Sequence, residues 1–203
     1  EAQYGANILK GKPVYARTSV FNDAVIAKTD GNWPKITDGK PANGDGALHQ
    51  PTTHDNSGTL MDAGRNWYFD LSVLTEIEQI TLFNDLSAGV DLALCDFEIY
   101  VSDDVASLWQ EANKVVDYSV DTNNALTSFN MIQITFNEKP QGKYLGFYWP
   151  HPCNFKTKNG TDNTNTVRLT EIAVFGNSLN TITATAGNGG TISPSGVNVV
   201  QTG

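Results

Sequence analysis

The chain has 203 residues, of which 39% are hydrophobic and 17% are charged, so it can bury a core and is not disordered by composition. Its 13 Lys and Arg residues against 22 Asp and Glu residues give a formal net charge of −9. This charge disfavours binding to nucleic acid or to acidic lipid. No run approaches the roughly 18 consecutive apolar residues that span a bilayer.

Most of the chain alternates between apolar and polar residues, which is typical of half-buried β-strands. The clearest runs are residues 80–82, 97–102, 132–136 and 144–149. Strands with one apolar and one polar face form antiparallel sheets, so we predict an all-β fold with two packed sheets. Residues 103–114 predict at most one helical turn, with Leu108 and Trp109 facing inward.

Two long polar segments interrupt the strands, at residues 29–66 and 150–165. Loops of this length are uncommon within a compact domain and usually have a function. We therefore expect the two segments to converge and form a shallow binding pocket.

The composition changes after Gly176, where large apolar residues become rare. We predict a sandwich over residues 1–176, a linker over 177–179 and a β-hairpin over 180–203 with a Gly-Asn-Gly-Gly turn. This hairpin is similar to the opening strands of the small β-rich repeats in bacterial surface proteins, here cut short. A disordered tail is the alternative.

The two cysteines, Cys95 and Cys153, lie 58 positions apart, a spacing that fits neither a zinc site nor a CxxC redox pair. They form either one disulfide in an oxidising compartment or two small buried thiols. The first residues show no signal peptide, so we expect that any leader was removed or never included.

Seven short motifs follow one another in a definite order along the chain. They are Asn7-Ile8-Leu9 with Gly11-Lys12-Pro13, Ile36-Thr37-Asp38-Gly39-Lys40, Trp67-Tyr68-Phe69-Asp70-Leu71, Ile77 with Ile80-Thr81-Leu82, Phe97-Glu98-Ile99-Tyr100-Val101-Ser102 with Trp109, Gly142-Lys143-Tyr144-Leu145-Gly146-Phe147, and Leu169-Thr170-Glu171-Ile172-Ala173-Val174-Phe175-Gly176. Together they resemble the discoidin superfamily (factor V/VIII type C domains), and within it the galactose-binding-like carbohydrate-binding modules of bacterial glycan-active proteins. The resemblance covers residues 7–176 and implies a jelly-roll-like β-sandwich.

The resemblance also implies a structural Ca²⁺ ion with Asp38 and Glu171 as carboxylate ligands, since Ca²⁺ takes six to eight oxygen ligands. The further ligands implied are the carbonyls of Lys35, Lys40 and Thr170 and a hydroxyl of Thr52 or Thr53. The apolar alternation slips near Thr170 and Glu171, which predicts a β-bulge that re-aims Glu171. The alternative is that Asp38 caps a turn and Glu171 is solvated.

Sugar contacts are expected from the two long segments. By resemblance, His54 beside Asp55 is the preferred partner of a sugar hydroxyl and His49 the second, because a neutral imidazole offers one donor and one acceptor. Zinc is disfavoured there, because no third ligand lies close in sequence. The aromatic and polar candidates for an apolar floor are Trp33, Trp149, His151 and Phe155, with closure of the core as the alternative for Trp149. Trp67 and Trp109 are assigned to the core.

After residues 80–83, many relatives carry an arginine where this chain has Asn84 and Asp85. These two side chains can still bond hydroxyls, but the sugar is left open. The sequence contains no GxSxG, HExxH or phosphate-binding loop motif, so we do not expect an enzyme.

We expect a non-catalytic carbohydrate-binding module that recognises a neutral glycan and is monomeric within a larger secreted or surface-anchored bacterial protein. The alternative is a protein-interaction, adhesion or spacer domain on the same scaffold, because fold alone does not choose between them.

Overall fold

The computed structural model describes residues 6–19, 22–29, 33–41, 66–84, 96–119, 131–149, 169–193 and 196–201. These residues contain strands and short 3-10 turns, and no α-helix. The strands are β1 (Val14–Ser19), β2 (Asn22–Lys28), β3 (Asn66–Asn84), β4 (Asp96–Ser102), β5 (Lys114–Ser119), β6 (Met131–Thr135), β7 (Gln141–Tyr148), β8 (Leu169–Ala184) and β9 (Gly196–Gln201). The turns are Trp33–Thr37, Val105–Ser107 and Glu111–Asn113.

The strands pair antiparallel and form two layers that share β3. The first layer has the order β2-β1-β3-β7-β4-β5 and uses the start of β3. The second layer places the end of β3 between β6 and β8. The prediction of an all-β sandwich is confirmed.

The long strand β3 passes from one layer to the other. Its register with β7 is interrupted between Asp70 and Thr75, where Ser72 has a φ of 74°, and pairing with β7 resumes at Thr75 and Glu76 before β3 pairs with β6 from Gln79 onward. If β3 were straight, its 19 residues would span about 60 Å, far more than a domain of this size. Trp67 and Phe69 from its first part and Ile80 and Leu82 from its second part belong to one core cluster. The strand must therefore bend, and we infer that its first and last residues lie at the same end of the sandwich.

One hydrophobic core lies between the layers. The first layer contributes the buried side chains of Trp67, Phe69, Phe97, Ile99, Leu145 and Phe147, and the second contributes Ile80, Leu82, Ile172 and Val174. The inward alternation predicted for residues 80–82, 97–101 and 145–149 is therefore confirmed.

Residues 103–114 form two short 3-10 turns where the sequence predicted one helical turn. Leu108 is fully buried, whereas Trp109 is half-buried and packs on the outer face of the first layer beside Tyr100. A Cβ on Gly146 would lie 2.8 Å from Trp109, so the absence of a side chain there makes room for the indole.

The C-terminal residues form the predicted hairpin, in which β9 pairs with the second half of β8. Gly189, with a φ of 82°, lies in a turn closed by the Gly190 N–H donating to the Gly187 carbonyl at 3.0 Å. Residues 177–179 do not form a separate linker, because they lie within the continuous strand β8. No helix among the described residues is long and apolar enough to cross a membrane.

Candidate functional site

The structure brings Asp38 and Glu171 together, although 132 positions separate them in sequence. Asp38 follows the Trp33–Thr37 turn, and its carboxylate accepts the Lys40 N–H at 2.8 Å. The Gly39 N–H donates to both oxygens of Glu171 at 3.2 Å. The two carboxylates that the resemblance assigned to a metal therefore lie next to each other.

A β-bulge aims Glu171 into this position. Phe83 of β3 pairs with Glu171, whereas the next residue, Asn84, pairs with Leu169, so Thr170 is the extra residue. The bulge predicted at Thr170 and Glu171 is confirmed. It places a carboxylate that is only 1% exposed at the end of the second layer.

Asn7 holds the Glu171 carboxylate from the other side. Its side-chain N–H donates to Glu171 Oε1 at 3.2 Å, while its side-chain oxygen Oδ1 accepts the N–H groups of Leu9 and Val174, both at 3.0 Å. The sequence analysis noted Asn7 only as part of a motif. The contact joins residues 164 positions apart, and no local pattern signals it.

Burial raises the pKa of Glu171 to about 8, and the neighbouring Asp38 carboxylate adds to this shift. The N–H groups of Gly39, Lys40 and Asn7 oppose the rise because they stabilise the ionised form. Burial and the second negative charge outweigh these donors. Neither Asp38 nor Glu171 forms an ion pair with a described lysine or arginine.

Two adjacent carboxylates without a described cationic partner suit a hard cation such as Ca²⁺. The described residues contain no group of three or more His, Cys, Asp or Glu side chains that could hold a metal. A cation here would therefore need backbone carbonyls as well. Lys35, Lys40 and Thr170 lie beside the two acids in the chain, whereas the candidate hydroxyls of Thr52 and Thr53 lie outside the described residues.

The second part of the site is the end of the sandwich from which the long segments leave. In the first layer, Asn66 pairs with Tyr148, so the segment 42–65 arrives beside the point where 150–168 departs. At the same end, Asp96 pairs with Ser119, and these two residues flank the segments 85–95 and 120–130.

The second layer shows the same arrangement. Asn84 pairs with Leu169, and the neighbouring Phe83 pairs with Met131. The segments 85–95, 120–130 and 150–168 therefore each run from one end of the first layer to one end of the second. Because β3 must bend to contribute to both layers of one core, we infer that these ends are the same end of the sandwich.

Trp149 closes the core at this end. It has no exposed surface and packs against Trp67, Phe97 and Phe147 at centroid distances of 5.2–5.8 Å. This is the alternative that the sequence left open, and the ring presents no free face as a sugar platform. Among the residues that the structure describes, Trp149 Nε1 has no hydrogen-bond partner, and neither has Asn66 Oδ1 at the same end.

Trp33 is half-buried, with its ring edge-on to Trp67 at 4.9 Å and with Lys28 Nζ 6.0 Å from its centroid. Part of the Trp33 ring is therefore accessible, unlike Trp149. The candidates His49, His54, Asp55, Asp85, His151 and Phe155 lie outside the described residues, as do Cys95 and Cys153. For Asn84 only the backbone is described.

The described strands form an antiparallel β-sandwich, which is the architecture that the resemblance to discoidin-like, galactose-binding-like folds implies. No protein-family model matches the chain, and no curated protein matches it either. Solved structures do match it.

The family 32 carbohydrate-binding module of Streptococcus pneumoniae EndoD superposes with a TM-score of 0.53 at 14% identity, over 83% of this chain and 98% of that one. A fucolectin from striped bass (Morone saxatilis) serum gives 0.51 at 18% identity, over 87% of this chain and 50% of that one, so this chain spans about half of its length. The lectin domain of lectinolysin, complexed with Lewis B antigen, gives 0.50 at 18% identity, over 85% and 97%. At these identities the likeness is one of fold, and it confirms the discoidin-like fold expected from the sequence.

Proposed function

We propose that this chain is a non-catalytic carbohydrate-binding module that recognises a neutral glycan at the end of the sandwich where its long segments meet. The observation that carries the proposal is the pairing of Asn66 with Tyr148 and of Asn84 with Leu169, which anchors these segments side by side. Loops presented by a rigid scaffold are a common place for binding residues. The similar structures named above include a carbohydrate-binding module and two lectins.

The acid chemistry of the described residues supports a binding role over hydrolysis. A glycosidase needs two carboxyl groups about 5–10 Å apart on either side of a substrate bond. Glu171 has a pKa suited to a general acid, but its 1% exposure keeps it from contact with a substrate. Of the other described acids, Glu76, Glu78, Glu98, Glu111 and Asp117 form ion pairs with Lys114 or Lys139.

Asp38 and Glu171 would hold a structural Ca²⁺ ion, with backbone carbonyls of Lys35, Lys40 and Thr170 and a hydroxyl of Thr52 or Thr53 as further ligands. When bound, the ion would neutralise two adjacent carboxylates and fix the start of the segment 42–65 beside the second layer. It would thus support the glycan site without touching the sugar.

A neutral ligand fits the net charge of −9, which repels acidic glycans. We expect weak affinity for one or two sugars, because a shallow site buries little area. Such a module is expected in a secreted or cell-surface protein, where linked copies increase avidity.

The experiment is a neutral-glycan array probed with the purified chain, followed by titration calorimetry of the best glycan. His54→Ala should weaken binding at least tenfold, because it removes a donor and an acceptor for a sugar hydroxyl. The matched control is Asn137→Ala, an exposed position in the 136–140 connection at the opposite end, which should bind like the unaltered chain.

Binding to no glycan on the array would contradict the proposal and favour the adhesion or spacer alternative. Glycan hydrolysis by the purified chain would contradict its non-catalytic part. Equal binding by the His54 and Asn137 variants would remove His54 from the site.

A further inference from the structure

Two tyrosine rings lie stacked on the outer face of the first layer. Tyr15 of β1 and Tyr68 of β3 are directly opposite each other in the sheet, and their ring centroids lie 5.0 Å apart at an interplanar angle of 10°. Their chain neighbours Val14, Ala16 and Trp67 are buried in the core, so the alternation along the strands directs both tyrosines away from it. Both tyrosines are half-buried, so part of each side chain is accessible to solvent.

A third tyrosine touches this pair in a different geometry. The Tyr144 ring of β7 lies 6.2 Å from the Tyr68 ring at an angle of 73°, so these two rings meet edge to face. Burial raises the pKa of Tyr68, and the neighbouring Tyr15, Tyr144 and Asp70 add to this shift. The Tyr68 phenol is therefore protonated at neutral pH, and its oxidation must remove a proton together with an electron.

The stacked pair is also where β1 joins the sheet. Among the described residues, Tyr15 and Tyr68 are the one backbone pair between β1 and β3, whereas β3 and β7 pair continuously from Asn66 to Asp70. β2 pairs with β1 and forms the edge of the first layer. A covalent link between the two rings would therefore tie the hairpin of β1 and β2 to the rest of the sheet.

We propose that Tyr15 and Tyr68 are a modification site, at which a one-electron oxidant such as a haem peroxidase supplied with hydrogen peroxide forms a dityrosine cross-link. The fold holds the two phenols together before the reaction, so coupling within the chain is favoured by proximity over coupling between chains. Tyr68 and Tyr144 are the poorer pair, because their rings are farther apart and nearly perpendicular. Formation of the link does not depend on the proposed function.

The coupling removes two hydrogen atoms from the chain. Each phenol gives one electron and its hydroxyl proton to the oxidant, which leaves two tyrosyl radicals. The radicals form one C–C bond between the ring carbons next to the hydroxyl-bearing carbons, and the hydrogen on each bonded carbon moves to the oxygen of its own ring. Both hydroxyls are thus restored, and the two electrons and two protons convert one hydrogen peroxide molecule into two water molecules.

The link should stabilise the fold. It joins residues that are far apart in sequence and so restricts the unfolded chain, as a disulfide does. The melting temperature of the linked chain should therefore be several degrees above that of the untreated chain.

The test treats the dilute full chain with a haem peroxidase and hydrogen peroxide. The intact mass should fall by two hydrogen atoms, the blue fluorescence of coupled phenols should appear, and digestion should yield one linked pair of peptides that contains Tyr15 and Tyr68. Tyr15→Phe keeps the ring and removes the phenol, so it should lose all three signals. The matched control Tyr144→Phe removes the neighbouring phenol and should form the link as the unaltered chain does.

The treated Tyr15→Phe variant is also the control for stability, because it meets the same oxidant without forming the link. Its melting temperature should not rise, and an equal rise in this variant and in the unaltered chain would contradict stabilisation by the link. No internal link, covalent dimers in its place, a link between other positions, or equal yields from the Tyr15→Phe and Tyr144→Phe variants would overturn the proposal.

Discussion

Among the described acids, Glu171 is the one whose ionisation is most strongly affected by its surroundings. The Asn7 and Gly39 N–H groups bind it directly, yet burial and Asp38 still raise its pKa to about 8. In the absence of a cation, the protonated acid is the form that the fold tolerates best at neutral pH. A bound cation would reverse this preference.

Glu171 should therefore make the metal-free protein less stable as the pH rises. Its folded pKa lies above the unfolded value of 4.5, so its contribution is fully present below about pH 4.5 and is lost as the pH rises through about 8. Melting temperatures in EDTA from pH 5 to 9 should fall more steeply for the unaltered protein than for Glu171→Gln. Glu138→Gln, at an exposed position, is the control and should keep the steep fall.

Calcium should have its largest effect at the alkaline end of this range. Above about pH 8 the ion meets two ionised carboxylates, so adding Ca²⁺ should raise the melting temperature by several degrees, and EDTA should remove the gain. Glu171→Gln should show little gain. If Ca²⁺ left the melting temperature of the unaltered chain unchanged, the proposed Ca²⁺ site would be contradicted.

Asn7 should contribute to stability far beyond its position near the start of the chain. Truncating its side chain removes the acceptor of the Leu9 and Val174 N–H groups and one of the two described donors to Glu171 Oε1. Asn7→Ala should therefore lower the free energy of unfolding by about 1–3 kcal/mol, measured by urea denaturation. Asn137→Ala should change it by less than about 0.5 kcal/mol. Similar values for the two variants would contradict this role.

At the scale of elements, the strands were predictable and their partners were not. The alternation at residues 80–82 and 145–149 identified inward faces, and the slip near Thr170 identified the bulge, because side-chain direction has a period of two along a strand. The break in the register of β3 at Ser72 lies within a run that reads as continuous strand. The contact between Asn7 and Glu171 depends on register across the sheet, which local sequence does not encode.

Trp149 shows the limit of the same reasoning at the site. In the alternation along the strand, Trp149 lies on the same face as the core residues Leu145 and Phe147. Its place before a long polar segment also suited a ligand platform. Packing against Trp67 and Phe97 decides for the core. The histidines of the segment 42–65 remain predictions, because that segment lies outside the described residues.

Gly176 fixes how closely β8 approaches β3. It pairs with Ile77, while the next residue of β8, Phe175, pairs with Gln79, so Glu78 is an extra residue of β3 at this point. A Cβ at this position would lie 2.1 Å from the Glu76 backbone carbonyl oxygen, and a paired strand cannot move aside as a flexible side chain can. Gly176→Ala should lower the free energy of unfolding by about 3 kcal/mol, measured by urea denaturation.

Gly190→Ala is the control for this substitution, since the nearest atom to its Cβ would be 3.6 Å away and its φ is not positive. It should change stability by less than about 0.5 kcal/mol. If both alanine variants unfolded at the same urea concentration as the unaltered chain, the close approach of β8 to β3 would be wrong.

At the scale of the whole molecule, the two ends of the sandwich differ in what they carry. One end anchors the segments 42–65, 85–95, 120–130 and 150–168 and holds the Asp38 and Glu171 pair. The other end carries the point where β8 stops pairing with β3 and begins to pair with β9. Our proposal places glycan recognition at the first of these two ends.

The most direct measurement of this division is amide chemical-shift mapping of the chain with the best glycan from the array. Shifts should concentrate at Asn66, Tyr148, Asp96, Ser119 and Leu169 and be absent at Ser72 and in the 136–140 connection. A glycan that instead shifted residues beside Ser72, or the outer faces of the strands alone, would contradict recognition at the end where the long segments meet.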